Sequence, residues 1–276
     1  MGHSVRRHGD DRVHRDDMMI DRAAKRFDLE GKVALVVGAG PGIGGHVARA
    51  YAAAGARVAV VARSPHAIES IVSEIEADGG EALALVADVA DPVAVETMVA
   101  LTEERFGDVN ILFYNAYFFS GPYAFDADPF FADEEHWRAS FEVNMLAPYR
   151  LTKRLFPGMQ RTGYGAIVTV LSCAAFMPTV PQMAYGATKA GLHMLTRYLA
   201  KAGGGAIRAN CICPGSIMSN EEVGPMFAQH IAKNAIARAG APDEVVGAAL
   251  FLASPASSYT TGQVIFCEGG RVNTMS

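Results

Sequence analysis

The 276-residue chain is 50% hydrophobic and carries 24 basic against 29 acidic side chains, a net charge of −5. That is enough apolar material for a large core, and it lacks the basic field that would recruit nucleic acid or an anionic membrane. No apolar run approaches the ~20 residues that span a bilayer, so a soluble protein is expected.

The first 28 residues mix Arg, Asp and His without a hydrophobic stripe, which predicts a flexible extension over residues 1–28. Its acidic residues argue against a mitochondrial transit peptide, and it has no apolar centre for a secretory signal. His3, His8 and His14 read as solvated side chains rather than a metal site. From Lys32 onward, short apolar runs alternate with longer amphipathic ones. Strands are predicted at Val33–Val37, Arg57–Ala62, Ala82–Ala87, Val109–Tyr114, Ala166–Leu171, Ala206–Ile212 and Val264–Cys267. Helices are predicted at Gly44–Ala54, Pro65–Ala77, Pro92–Phe106, Glu134–Leu155 and Gln182–Ala202. Strand runs that are apolar throughout, rather than alternating, point to burial on both faces. The alternation then predicts an α/β fold: a doubly wound, parallel, Rossmann-like sheet flanked by helices. No repeat or linker interrupts the pattern, so a single domain over 29–276 is expected.

Cys173, Cys211, Cys213 and Cys267 show no disulfide-framework spacing. Cys211 and Cys213, two apart in a strand-like run, read as small buried hydrophobes on one face rather than a metal or redox pair. Such usage suits a reducing cytoplasm.

The first chemical signal is the run Gly38-Ala39-Gly40-Pro41-Gly42-Ile43-Gly44 between a strand and a helix. Glycines allow a tight turn and close backbone approach, and the helix N-terminus offers free N–H groups to a diphosphate. In the first strand–helix unit of the chain this predicts a dinucleotide site. The second strand ends Ala62-Arg63-Ser64, with no acid at the place that usually receives the adenosine ribose hydroxyls. A carboxylate there would repel a 2′-phosphate, whereas Arg63 can pair with it. NADP is therefore expected over NAD.

Tyr185 and Lys189 form Tyr-x-x-x-Lys in a predicted helix, which puts both on one face. A phenol near pKa 10 is a poor acid or base at neutral pH. An ammonium about 4 Å away contributes roughly 4 kcal/mol at an effective dielectric near 20, enough to lower that pKa by up to about 3 units. Tyr149 and Lys153 share the spacing, so surroundings must decide. Ser172 precedes Tyr185 by thirteen residues, at the end of a predicted strand, where ligands meet a parallel sheet. The equivalent position before Tyr149 is His136, which makes that pair a structural helix face.

These residues resemble the short-chain dehydrogenase/reductase family, over Leu29 to about Gly270. Its Thr-Gly-x-x-x-Gly-Ile-Gly motif matches Gly38, Gly42, Ile43 and Gly44, with Val37 in place of Thr. Its catalytic set matches Asn144, Ser172, Tyr185 and Lys189. The resemblance further implies cofactor contacts from Asp88 and Val89, from Asn115 and Ala116, and from Pro214, Gly215 and Ile217, with Ser219 where Thr is usual. Asp88 could equally be a helix N-cap. Tyr114 and Tyr117 depart from the family's Asn-Asn-Ala-Gly, and their effect on the pocket is open. Between Ser216 and Arg238 the resemblance implies a substrate lid. There Met218, Val223, Met226, Phe227 and Ile231 could wall an apolar pocket or pack inward.

The implied activity is hydride transfer between NADP, or NAD, and a small carbonyl or secondary-alcohol substrate. Tyr185 would act as general acid/base and Ser172 would hold the substrate oxygen. The competing readings are a non-catalytic NADP-sensing or scaffold protein and an enoyl C=C reductase. A homo-oligomer, dimer or tetramer, is expected, with no nucleic-acid or membrane partner.

Overall fold

The computed structural model describes residues 21–120, 128, 130–178, 182–218, 228 and 231–274. Seven strands, β1 (Val33–Val37), β2 (Arg57–Ala62), β3 (Ala82–Val86), β4 (Ile111–Tyr114), β5 (Gly165–Val170), β6 (Ile207–Pro214) and β7 (Val264–Cys267), form one sheet. Their order is β3-β2-β1-β4-β5-β6-β7, and every neighbouring pair is parallel. Helices α1 (Ile43–Ala53), α2 (Pro65–Ala77) and α3 (Pro92–Phe106) follow the first three strands. The longer connection after β4 holds α4 (Glu134–Phe141) and α5 (Ala147–Thr162). Helices α6 (Met183–Ala202), α7 (Val246–Ala253) and a short α8 (Arg271–Thr274) complete the chain.

The period-two geometry of β1 separates two cores. Ala34 and Val36 pack with Val47 and Tyr51 of α1, Ile71 of α2 and Leu252 of α7. Val33, Leu35 and Val37 point the other way, to Val99 of α3 and Leu151 and Leu155 of α5. All five residues of β1 are buried, as are the middle of β2 and all of β4 and β5. The edge strands differ from expectation. Val86 at the end of β3 is 60% exposed, and β7 is only half-buried, because each has a neighbour on one side only.

Two helix boundaries also differ. The predicted Glu134–Leu155 helix is interrupted by a π turn at Glu142–Leu146 and runs on to Thr162, where Gly163 closes it in the left-handed region at φ 67°. At the other end of the described chain, Arg26 donates to the Pro255 carbonyl and Leu29 is fully buried. His3, His8 and His14 lie outside the described residues.

Connections leave β1 toward β2 on one side and reach β4 on the other. The order of the strands therefore reverses between β1 and β4, and this is where an open parallel sheet forms a crevice at its C-terminal edge.

Candidate active site

The glycine turn is built at that edge. The amides of Gly38 and Ala39 both donate to the Val61 carbonyl at 2.9 Å, which ties the end of β1 to β2. Gly38 has φ 84°, and a Cβ there would stand 2.4 Å from the Ala116 nitrogen. At Gly44 it would stand 2.3 Å from the Gly38 carbonyl oxygen, so helix and turn meet backbone to backbone. Gly40 and Gly42 are different: a Cβ on either would meet open space. Gly42 caps α1 without a side-chain hydrogen bond, so the first amides of the helix face an open approach. Val37, lacking the hydroxyl of a threonine, is buried, and Asn115 steadies the turn instead. Its Nδ2 donates to the Gly38 carbonyl at 2.8 Å, while the amides of Asn115 and Ala116 donate to the Val37 carbonyl.

A cleft of about 540 Å³ opens beside this turn. Gly38, Arg63, Ser64, Asp88, Val89, Asn115 and Ala116, drawn from four strand ends, all line it. Arg63 is exposed and enters no ion pair among the described residues. Asp88 is not a helix cap; its Oδ1 accepts from the Ala90 amide, and Asp91 caps α3 through the Val93 amide. The open glycine face and the adjoining cleft suit a dinucleotide, and Arg63 stands at its edge with an uncommitted guanidinium.

Pro214, Gly215 and Ile217 are not part of that cleft. Gly215 packs so tightly on Glu268 that a Cβ would lie 2.7 Å from its Cα, and the Gly215 amide donates to the Cys267 carbonyl. Gly215, Ser216 and Ile217 line a separate depression of about 340 Å³ with Asn234 and Gly269. Ser219, Val223, Met226 and Phe227 lie outside the described residues. Ile231 is buried, which matches the inward-packing alternative for that position.

Ser172 leaves β5 in extended conformation, and its hydroxyl accepts from the Ala174 amide at 3.3 Å. Tyr185 and Lys189 occupy one face of α6. Gly186, between them, has its Cα face against the Ala174 carbonyl, so α6 sits directly on the turn that carries Ser172. Lys189 is buried, and its Nζ donates to the Val170 carbonyl at 2.7 Å. Its Nζ stands 5.7 Å from the centre of the Tyr185 ring. Burial lowers its pKa to about 7. Cys211 and Cys213 are buried on one strand face beside it, and Cys173 directs its thiol to the Pro214 carbonyl.

Asn144 is fully buried within the π turn. Its side chain accepts from the Phe118 amide at 3.0 Å, donates to the Phe118 carbonyl at 3.2 Å and donates to the Thr188 hydroxyl at 3.0 Å. It thus joins the segment after β4 to the catalytic-helix candidate α6. Sequence reasoning missed Phe118, Phe119 and Thr188; the aromatic run following Asn115-Ala116 was the available signal. Tyr114 does not shape the cleft. It is buried, and its hydroxyl donates to the Val143 carbonyl at 2.5 Å. The second pair lies elsewhere: Tyr149 is exposed and Lys153 lines a groove between α3 and α5.

This arrangement has counterparts. A family model described as Enoyl-(Acyl carrier protein) reductase matches residues 38–271. The 7alpha-hydroxysteroid dehydrogenase of Escherichia coli is 34% identical over 253 residues, covering 90% of this chain and 97% of its own length. Among solved structures, a 7alpha-hydroxysteroid dehydrogenase complexed with NADH and 7-oxo glycochenodeoxycholic acid superposes with a TM-score of 0.82 at 32% identity, covering 90% of this chain and 96% of that one. A gluconate 5-dehydrogenase from Burkholderia cenocepacia, in complex with NADP and tartrate, gives 0.82 at 29% identity over 92% of this chain and all of its own. With the glycine turn at a strand crossover and a Rossmann-like seven-stranded sheet, the chain belongs to the short-chain dehydrogenase/reductase family and is an NAD(P)-dependent oxidoreductase.

Proposed function

We propose that the chain interconverts a carbonyl and a secondary alcohol, with NADP preferred over NAD, through Tyr185, Lys189, Ser172 and Asn144. The observation that carries this reading is the seating of α6 on the Ser172 turn, with Lys189 anchored to the last residue of the same strand. The bound nicotinamide would supply or accept the hydride. The turn 38–44 would hold the diphosphate, Arg63 and Ser64 the adenosine 2′-phosphate, and Asp88 and Val89 the adenine side of the cleft. Pro214, Gly215, Ile217 and Ser219 are proposed for the nicotinamide end.

The Ser172 hydroxyl would donate to the substrate oxygen and hold it as charge develops. The Tyr185 hydroxyl would deliver or remove the proton at that oxygen. When Lys189 is charged, its ammonium beside the Tyr185 ring favours the ionised phenol. With a pKa of about 7, Lys189 loses that charge just above neutrality, so the help is pH-dependent. Asn144 would fix the relation between α6 and the segment after β4.

A cytoplasmic homo-oligomer, dimer or tetramer, is part of the proposal; exposed Tyr149 and Tyr198 on α5 and α6 support a further contact face. Light scattering tests it. The catalytic reading is tested by a panel of ketones and alcohols with both cofactors, followed by nicotinamide absorbance. Tyr185→Phe is expected to lower kcat by roughly 10²–10⁴-fold. Wild-type activity in that variant would remove Tyr185 from the chemistry, and a wild type that turns over nothing in the panel would favour a sensing or scaffold role.

A further inference from the structure

The segment after β4 carries three aromatic residues in succession, and their rings divide between two sides. Phe118 turns toward α4, where its ring meets His136 at 5.3 Å. Its neighbours turn the opposite way. Tyr117 meets the Tyr185 ring at 6.3 Å and Phe119 meets it at 5.4 Å, both at an interplanar angle of 69°. Edge-to-face contacts at these separations are the arrangement the ring quadrupoles favour.

The segment is held, not draped. Asn144 clasps the Phe118 backbone on both its N–H and its C=O, and the same amide binds Thr188 one turn along α6 from Tyr185. Tyr117 nevertheless remains 58% exposed, a large ring left facing the open side of the site. All three residues line the cleft beside the glycine turn, together with Ala116 and Val143. The charged residues of that cleft, Arg63 and Asp88, belong to the ends of β2 and β3. Those strands lie on the far side of β1 from β4, so the described wall next to Tyr185 is aromatic and uncharged.

A wall of this kind discriminates by chemistry. An apolar ring laid against it removes water from two aromatic faces and gains dispersion contacts. An open-chain polyol would have several hydroxyls stripped of water there, with few partners to replace it. Resting on the hydride-transfer reading above, we propose that Tyr117 and Phe119 determine specificity. They select a carbonyl or secondary alcohol carried on an apolar ring over an open-chain polyol.

The test uses two probes, 2-decalone and sorbitol, and two readouts. Saturation-transfer NMR on the full chain with NADP(H) reports binding, and nicotinamide absorbance reports turnover. 2-Decalone is expected to receive saturation from aromatic protons and to bind at least tenfold more tightly than sorbitol. Tyr117→Ala and Phe119→Ala should each weaken it roughly tenfold, mainly in Kd or KM, with rescue by Tyr117→Phe and Phe119→Tyr. Because Tyr117 is more than half exposed, its removal leaves the core intact, which circular dichroism verifies.

Sorbitol binding as tightly as 2-decalone overturns the proposal. So do alanine variants that bind 2-decalone as the wild type does, or that lose kcat alone, since the rings would then only orient Tyr185. If 2-decalone binds as described but no ketone or alcohol is turned over, the aromatic binding wall stands and the hydride-transfer reading falls.

Discussion

Two alanine substitutions, four residues apart in the glycine turn, should fail in opposite ways. At Gly38 the new Cβ would lie 2.4 Å and 2.7 Å from the Ala116 nitrogen and Cα and 2.8 Å from the Asn115 carbonyl carbon, all backbone atoms. The residue would also have to hold φ 84°. The left-handed backbone costs ~1–2 kcal/mol for a residue with a Cβ, and overpacking adds ~1–3 kcal/mol. Together they amount to roughly 2–5 kcal/mol, or about 5–15 °C in Tm for a chain of this size. At Gly42 the added methyl meets nothing within 4 Å, so the cost is confined to placing Ala at the N-cap, ~1 kcal/mol or about 2–4 °C in Tm. That methyl instead enters the space a diphosphate would use. A ligand at 100 times its Kd stabilises the wild type by ~2.7 kcal/mol, roughly 5–10 °C here. Differential scanning fluorimetry with and without NADPH separates the cases. Gly38→Ala should melt early in both conditions, and Gly42→Ala should melt only a few degrees early while losing most of the NADPH shift. A full NADPH shift in Gly42→Ala would refute the placement of the diphosphate at this turn.

The remaining predictions concern single side chains. The Lys189 amine titrates at about 7 in the fold and near 10.4 when unfolded, so the unfolded chain binds more protons between those values and stability rises with pH across that window. Below pH 7 the full burial cost is present, ~5 kcal/mol, so Lys189→Met should raise Tm clearly at pH 6 and little by pH 10; an equal gain at both would refute the assignment. Arg63→Asp should lower kcat/KM for NADP at least about tenfold while sparing NAD, and equal use of both cofactors before and after would remove Arg63 from the site. Tyr114→Phe should cost ~1–3 kcal/mol in chemical denaturation, because it takes a buried donor from the Val143 carbonyl.

The sheet was legible because each strand is an apolar run bounded by glycine, charge or a helix-starting proline, and β1, β2 and β7 have their predicted limits. Edge exposure was not legible, since β3 reads as apolar as β2 and only the strand order leaves Val86 without a neighbour. The choice between Asp88 and Asp91 as helix cap was legible in principle: Pro92 favours the first helical position, which makes Asp91 the cap. The gathering of Arg63, Ser64, Asp88, Val89, Asn115 and Ala116 into one cleft follows from their common place at strand ends. The placement of Gly215–Ile217 in a second depression depends on how the loop packs against Glu268, and no local pattern reports that.

Tyr114 shows how an apparent departure from a motif can be a repair. In the π turn the Ala147 amide donates to the Glu142 carbonyl, five residues back, and not to Val143. Continuing that register would assign the Val143 carbonyl to residue 148, which is Pro148 and has no N–H. The helix ladder therefore leaves a buried acceptor beside Asn144, and the Tyr114 hydroxyl supplies the donor from the end of β4. A shorter side chain at 114 could not carry that hydroxyl across to the turn. The same strand end continues into Asn115, which holds the glycine turn, and into Phe118, which Asn144 clasps. The π turn, the glycine turn and the wall against Tyr185 thus depend on one short segment. A perturbation at Tyr114 should consequently reach both the glycine turn and Tyr185, although its own side chain lines neither cleft.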